Sequence, residues 1–242
     1  MGREIVTALI VAGILGGSGT AAASKKDQPT HRAAQAALQY FESVQDADFE
    51  AFLRQMRRPA PSPLERAIVI KNLPKEGELT PTAQEAAKLA AIRPLLAFHG
   101  RDHDMEIRLI AGGGRAFVGL HARTVLLLSR EALDLLEKDE LLAIMAHELG
   151  HDYVWSEYEE ARQKRGERRL QELELRCDGI AVIAIGRLGV DSEHLVSAVT
   201  RLTRHNDRLG TLNLNYAWYV PLDERVRFIR AVARLTASVL GV

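Results

Sequence analysis

The chain has a single cysteine, Cys177, in 242 residues. No intramolecular disulfide can form, so stability has to come from packing or a bound metal rather than from cross-links. Net charge is missing too, because 32 basic side chains balance 32 acidic ones. No global field draws in nucleic acid or an anionic membrane, and no nucleic-acid partner is expected. Beyond residue 23 no apolar run is long enough to cross a bilayer, so no stable membrane insertion is expected of the mature chain. What remains is an ordinary globular composition, 47% hydrophobic, with length for one sizeable core and a smaller helical subdomain.

The first 23 residues differ from the rest. Arg3, an apolar run from Ile5 to Leu15 and the closing Ala21-Ala22-Ala23 supply the basic start, short hydrophobic stretch and Ala-x-Ala end of a secretory signal peptide. The pattern predicts cleavage after Ala23 and an exported protein, periplasmic or extracellular. Glu4 weakens the basic start and keeps an uncleaved N-terminal anchor as the alternative. No cysteine stands near the cleavage point, which removes the lipoprotein reading.

Residues 24–104 are expected to form an N-terminal helical region. One helix is predicted over 30–56, and the prolines between Arg57 and Pro63 end it. The next helix is predicted from Ala83 to Phe98, with Thr80 as cap and Pro81 at its first position. Residues 105–242 then change period. Met105–Ile110, Arg115–Leu120 and Arg123–Leu128 read as strands, interrupted by Gly112-Gly113-Gly114. Helices follow: a short one capped by Ser129, one started by Asp139, a charged helix or hairpin over Glu157–Arg169, and then 170–188, 192–208 and about 223–240. The plan is α+β, mainly helical, with one small sheet.

The segment MAHELGHDY, residues 145–153, carries the chemistry. On a helix His147 and His151 lie one turn apart on one face and can present both imidazoles to one ion. Glu148 lies beside that face, where a general base can reach a water without occupying the coordination sphere. A catalytic zinc wants three protein ligands and an open position. A histidine six residues beyond His151 is excluded, because Glu157 stands there. Glu174 lies 23 positions after His151, on an apolar helix that can return against the first. It is the expected third ligand, with Glu172 as its rival. Asp178, one turn on, is placed to hydrogen-bond the outer nitrogen of a liganding histidine.

HELGH followed by ELRCD resembles the gluzincin metallopeptidases, whose second helix supplies a glutamate in the pattern Glu-x-x-x-Asp. Within them the chain most resembles the CAAX prenyl protease and HtpX-type endopeptidase family and its soluble exported relatives. The likeness covers residues 105–230: RAFV at 115–118 is similar to the family's edge segment, the run from Thr124 to His151 to its strand, helix and zinc-helix succession, and PLDERV at 221–226 to its closing Pro-x-x-x-Arg segment. Arg115 and Val220 depart from the family's usual Asn and His. The resemblance implies a zincin-like fold and a zinc-dependent endopeptidase with one Zn2+ per chain, held by His147, His151 and Glu174. Glu148 is then the base, and Arg225 the first candidate for stabilising the oxyanion, ahead of His205, Tyr216 and Tyr219. A polypeptide substrate would add to the edge strand at 115–120, in envelope protein processing or quality control.

Other features read more plainly. Tyr216, Trp218 and Tyr219 suit core packing, Cys177 is expected to be buried filler, and His99 and His103 are expected in a solvated loop. The run RQKRGERR, residues 162–169, fits a salt-bridged hairpin tip. The alternative of another class is a catalytically silent zinc-binding adaptor or chaperone for extended polypeptides, against which the presence of Glu148 speaks. Another possibility is that the segment before Pro63 blocks the site until it is moved or cut. The oligomeric state is not encoded in any recognisable pattern.

Overall fold

The computed structural model describes residues 27–44, 49–75, 77–210 and 219–240. The predicted leader, and with it Tyr216 and Trp218, lies outside the described residues. Ten helices and one sheet are seen among those described: α1 (Asp27–Glu42), α2 (Phe49–Met56), α3 (Pro63–Asn72), α4 (Ala83–Ala90), α5 (Arg93–Phe98), β1 (Glu106–Ile110), β2 (Val118–His121), β3 (Val125–Ser129), α6 (Arg130–Leu135), α7 (Lys138–Gln163), α8 (Glu167–Arg187), α9 (Glu193–Arg208) and α10 (Leu222–Leu240). The plan is α+β and mainly helical.

The sheet order is β1-β3-β2, with β1 parallel and β2 antiparallel to β3. Every residue of the central strand β3 is buried, as its apolar run Val-Leu-Leu-Leu requires. On one side β1 is covered by the chain at 77–79, where Leu79 N–H donates to the Leu109 carbonyl at 2.8 Å. On the other, β2 is the edge and lies against α7.

α7 and α8 form the centre of the molecule. Gly150 sets their separation: a Cβ at this position would stand 2.9 Å from Cys177 Cα and 3.0 Å from its carbonyl oxygen. Because backbone cannot step aside, only glycine allows this crossing. Gly179 does the same for α1, whose Phe41 ring fills the space of a side chain there. Phe41 also meets Phe228 of α10, so α1 is part of the core that carries α8.

Several boundaries differ from the sequence reading. The single helix over 30–56 is two helices: α1 closes in a turn at Ser43–Val44, where the Ser43 hydroxyl donates to the Tyr40 carbonyl at 2.7 Å. Pro63 opens α3 rather than only breaking the chain, with Ser62 and Glu65 forming a capping box. Thr82, not Thr80, caps α4, so Pro81 precedes the helix; Pro94, which has no N–H for the Ala90 carbonyl, separates α5 from it. Residues 115–117 are not strand, and Arg123 lies in the β2–β3 turn. Glu137, not Asp139, stands at the N-cap of α7. The charged 157–169 segment is shared between the ends of α7 and α8, which turn at Lys164–Gly166 and are tied by Arg169 to Glu157 and Glu172.

Replacing Gly150 by Ala should lower the thermal midpoint although alanine is the better helix former by ~1 kcal/mol, since overpacking costs about 1–3 kcal/mol. Thermal melts of the two proteins check this; an unchanged or raised midpoint would show that the crossing can relax.

Candidate metal centre and active site

The α7–α8 crossing brings one face of each helix together. His147 and His151 come from α7 and Glu174 from α8; one ligand-type atom from each lies within 4.8 Å of the others. His147 Nε2 is 3.5 Å from Glu174 Oε2, and His151 Nε2 is 3.8 Å from Glu174 Oε1. All three residues are buried. His147 Nε2, His151 Nε2 and Glu174 Oε1 have no hydrogen-bond partner, although such atoms are costly to leave dry. A zinc ion suits this donor set, because two imidazoles and a carboxylate are the three protein ligands that a catalytic zinc takes.

The imidazole of His147 is oriented from behind. Its Nδ1–H donates to Asp178 Oδ1 at 2.8 Å, which leaves Nε2 as the liganding atom. Asp178 is fully buried and accepts two further bonds from Arg225, at 2.8 Å from Nε and 2.6 Å from Nη2. Arg225 Nη2 lies 3.3 Å from His147 Nδ1, on the opposite edge of the ring from Glu174.

Charge follows from this packing. Burial pushes the His147 pKa down, but Asp178 and Glu174 outweigh it and raise it to about 9. His151 is lowered to about 4 by burial. For Glu148, burial, with the Glu174 carboxylate adding to it, pushes the carboxyl up to about 8. Burial would raise Asp178, yet Arg225 and His147 hold it at about 2. In the metal-free protein His147 is thus an imidazolium between two carboxylates, where a cation is favoured.

Glu148 sits on the β2 side. Its Oε2 accepts from the Leu120 N–H at 3.1 Å, and its Oε1 is buried without a partner. Tyr158, one further turn beyond His151 plus three residues, packs edge-on to the His151 ring with centroids 5.2 Å apart. Glu172 is turned away, bonded to Arg169 and Arg176 at 2.6 and 2.7 Å.

Other predicted residues are placed elsewhere. His205 Nε2 donates to the Gly114 carbonyl at 2.8 Å, Tyr219 is half-buried, and its carbonyl accepts from Gln171. Cys177 is buried at the crossing, where burial pushes its thiol up. The 99–104 segment is solvated only in part: His103 is exposed as expected, whereas His99 and Arg101 are each 2% exposed. His99 shares a 2.8 Å hydrogen bond with Tyr153, and Arg101 reaches Asp152. Sequence reasoning missed Asp152, Arg101 and Arg123, whose pairing depends on residues far apart in the chain. The aspartate next to the second histidine was the only local sign.

The mainly helical α+β fold, with two histidines and a glutamate gathered for a metal, fits a zinc-dependent metallopeptidase of zincin-like architecture. Residues 82–166 match the family model described as Peptidase family M48, which supports assignment to the M48 metallopeptidases. The matched stretch holds His147, Glu148 and His151, begins earlier than the resemblance noted from the motifs, and stops before Glu174 and Asp178. No curated protein matches the chain.

Zinc affinity should rise with pH. The raised pKa of His147 keeps the metal-free ring protonated below about 9, and ligation has to expel that proton, so binding is weaker at low pH. Chelator competition should show about a tenfold gain per pH unit between about 7 and 9, then a plateau. A flat profile over that range would contradict the protonated state.

Proposed function

We propose that the protein is a zinc-dependent endopeptidase in which Glu148 is the general base. The observation that carries this reading is the convergence of three unpartnered, buried ligand atoms beside a carboxylate that borders the edge strand.

His147, His151 and Glu174 would hold the ion, with Asp178 fixing the tautomer of His147. When bound, zinc supplies Lewis acidity at the scissile carbonyl and lowers the pKa of the attacking water. Glu148 takes the proton of that water and delivers it to the leaving amine. Buried beside the ligand atoms with its Oε1 unpartnered, the Glu148 carboxylate is placed to accept that proton and hand it on.

Arg225 is reassigned from oxyanion donor to positioning residue. Its guanidinium stands behind His147, bound to Asp178, and not on the Nε2 side where the reacting carbonyl belongs. An arginine there keeps Asp178 ionised, which keeps the Nδ1–H of His147 pinned.

A peptide substrate would pair with the outer edge of β2, read mainly through its backbone. On that edge Ala116 is occupied, its N–H and C=O both bonded to the Asn206 amide at 3.0 and 2.7 Å. The Leu120 N–H is taken as well, by Glu148, so pairing would fall to Val118 and the Leu120 carbonyl. The likeness to CAAX prenyl and HtpX-type proteases and the basic-apolar-small leader support an exported enzyme acting on envelope polypeptides; among the described residues no helix is long and apolar enough to cross a membrane. The segment before Pro63 is not a loose plug in this reading, because Phe41 is built into the core.

Glu148→Gln should bind zinc with unchanged stoichiometry and lose turnover of an unstructured protein substrate by about 10²–10⁴-fold. Activity retained in this variant would favour the silent adaptor. Asp178→Asn should weaken zinc binding by about 10–100-fold; unchanged affinity would remove its orienting role.

A further inference from the structure

The β2–β3 turn is shaped against its own sequence. Ala122 and Arg123 have φ of 45° and 56°, the left-handed region that type I′ turns demand and that Asn-Gly or Gly-Gly normally supplies. The turn is closed by Thr124 N–H donating to the His121 carbonyl at 2.9 Å, and by the Thr124 hydroxyl donating to the Ala122 carbonyl at 3.0 Å. Those bonds do not remove the clash of two L side chains at positive φ. Something outside the turn holds it.

That support comes from α7. Asp152, the residue after His151, accepts from Arg123 Nε through Oδ1 and from Arg101 Nη1 through Oδ2. Arg101 closes the circuit by donating from Nη2 to the Arg123 carbonyl and from Nε to Asp104 at 2.8 Å. Arg123 Nη2 also donates to the Pro59 carbonyl at 2.8 Å. Arg101 and Asp152 are both buried, so these are charge-assisted bonds out of water, where removing one partner strands the others.

The hairpin is therefore fastened to α7 at two places. At Leu120 the partner is Glu148 itself. At the turn it is Asp152, four positions further along the same helix. A base that also serves as the tether of the strand would give up its position whenever it moved; the second fastening relieves it of that task.

We propose that Asp152 is a positioning residue: by clamping the strained β2–β3 turn to α7, it sets the spacing between the edge strand and the helix that carries Glu148 and the histidines. It touches neither ion nor substrate. Its effect on turnover rests on the peptidase reading above, whereas its effect on β2 does not.

The test uses Asp152→Asn, which keeps the shape and one acceptor, alone and combined with Ala122→Gly, which makes positive φ costless at that position. Two quantities are read: amide hydrogen exchange of residues 118–121 in the zinc-loaded protein, and kcat and KM on an unstructured polypeptide, with zinc stoichiometry as control. Expected for Asp152→Asn are exchange in β2 about tenfold faster and kcat about tenfold lower, with KM little changed and one zinc retained. Ala122→Gly should restore a good part of both losses, because a turn that forms unaided needs less clamping. A general loss of fold would not be rescued by a glycine in a turn. Unchanged exchange in Asp152→Asn would overturn the proposal whatever the activity, and so would a loss that Ala122→Gly leaves untouched. If the parent shows no cleavage at all, the peptidase reading fails and the exchange measurements alone decide the clamp. Should Asp152→Asn fail to fold, Arg123→Lys, which keeps the charge but not the Nε geometry, takes its place with the same two expected results.

Discussion

The close crossing of α7 and α8 at Gly150 is the constraint on which the rest depends. With no side chain at 150, the helices meet backbone to backbone at Cys177. Glu174 and Asp178 flank that cysteine by three positions on one side and one on the other, and so face His147 and His151. A wider crossing would leave the carboxylate of Glu174 short of the imidazoles. It would also separate Asp178 from His147 and leave Arg225, which has come in from α10, paired to an aspartate with no ring to orient. One missing methyl group thus conditions the ligand set, the tautomer of a ligand and the docking of the last helix.

Charge in this protein sums to zero but is not evenly spread. Several charged groups are buried, and each has an opposite or polar partner close by: Asp178 with Arg225, Asp152 with Arg101 and Arg123, Glu140 with Ser197 and Arg201. These pairs cost desolvation and return geometry, since each fixes one element against another. Two of the three attach to α7 and the third pins a histidine of α7. The helix that carries HELGH is held from the sheet, from α9 and from α8 with α10. Among the described residues, the one group of three ligand-type side chains gathered closely enough for a metal lies where those restraints converge.

Much of the site was legible in the letters because its parts are local. Helical spacing alone places His147 and His151 on one face and Glu148 beside it. Glu174 and Asp178 were legible for the same reason, four apart on an apolar helix that had to return. The strands were recognisable from their apolar runs, but their limits were not: Arg123 looks like the start of a strand until Asp152 is seen to pull it into a turn. Pro63 and Pro94 were harder still, since a proline can open a helix, end it or divide two, and its neighbours' hydrogen bonds decide which.

By itself the sequence determined the class of the fold, the donor types of the site and their helical register, because periodicity and short-range spacing are properties of the chain. Only the tertiary structure decided what each distant group does. Arg225 reads as a candidate for the reacting side from its motif, yet it stands behind His147, because α10 approaches from the back of α8. His99 reads as solvated, yet it is buried, because α7 supplies Tyr153 to receive it, as Asp152 of the same helix receives Arg101. Which partner satisfies a buried polar group depends on which surfaces meet, and that is fixed by packing rather than by the order of residues.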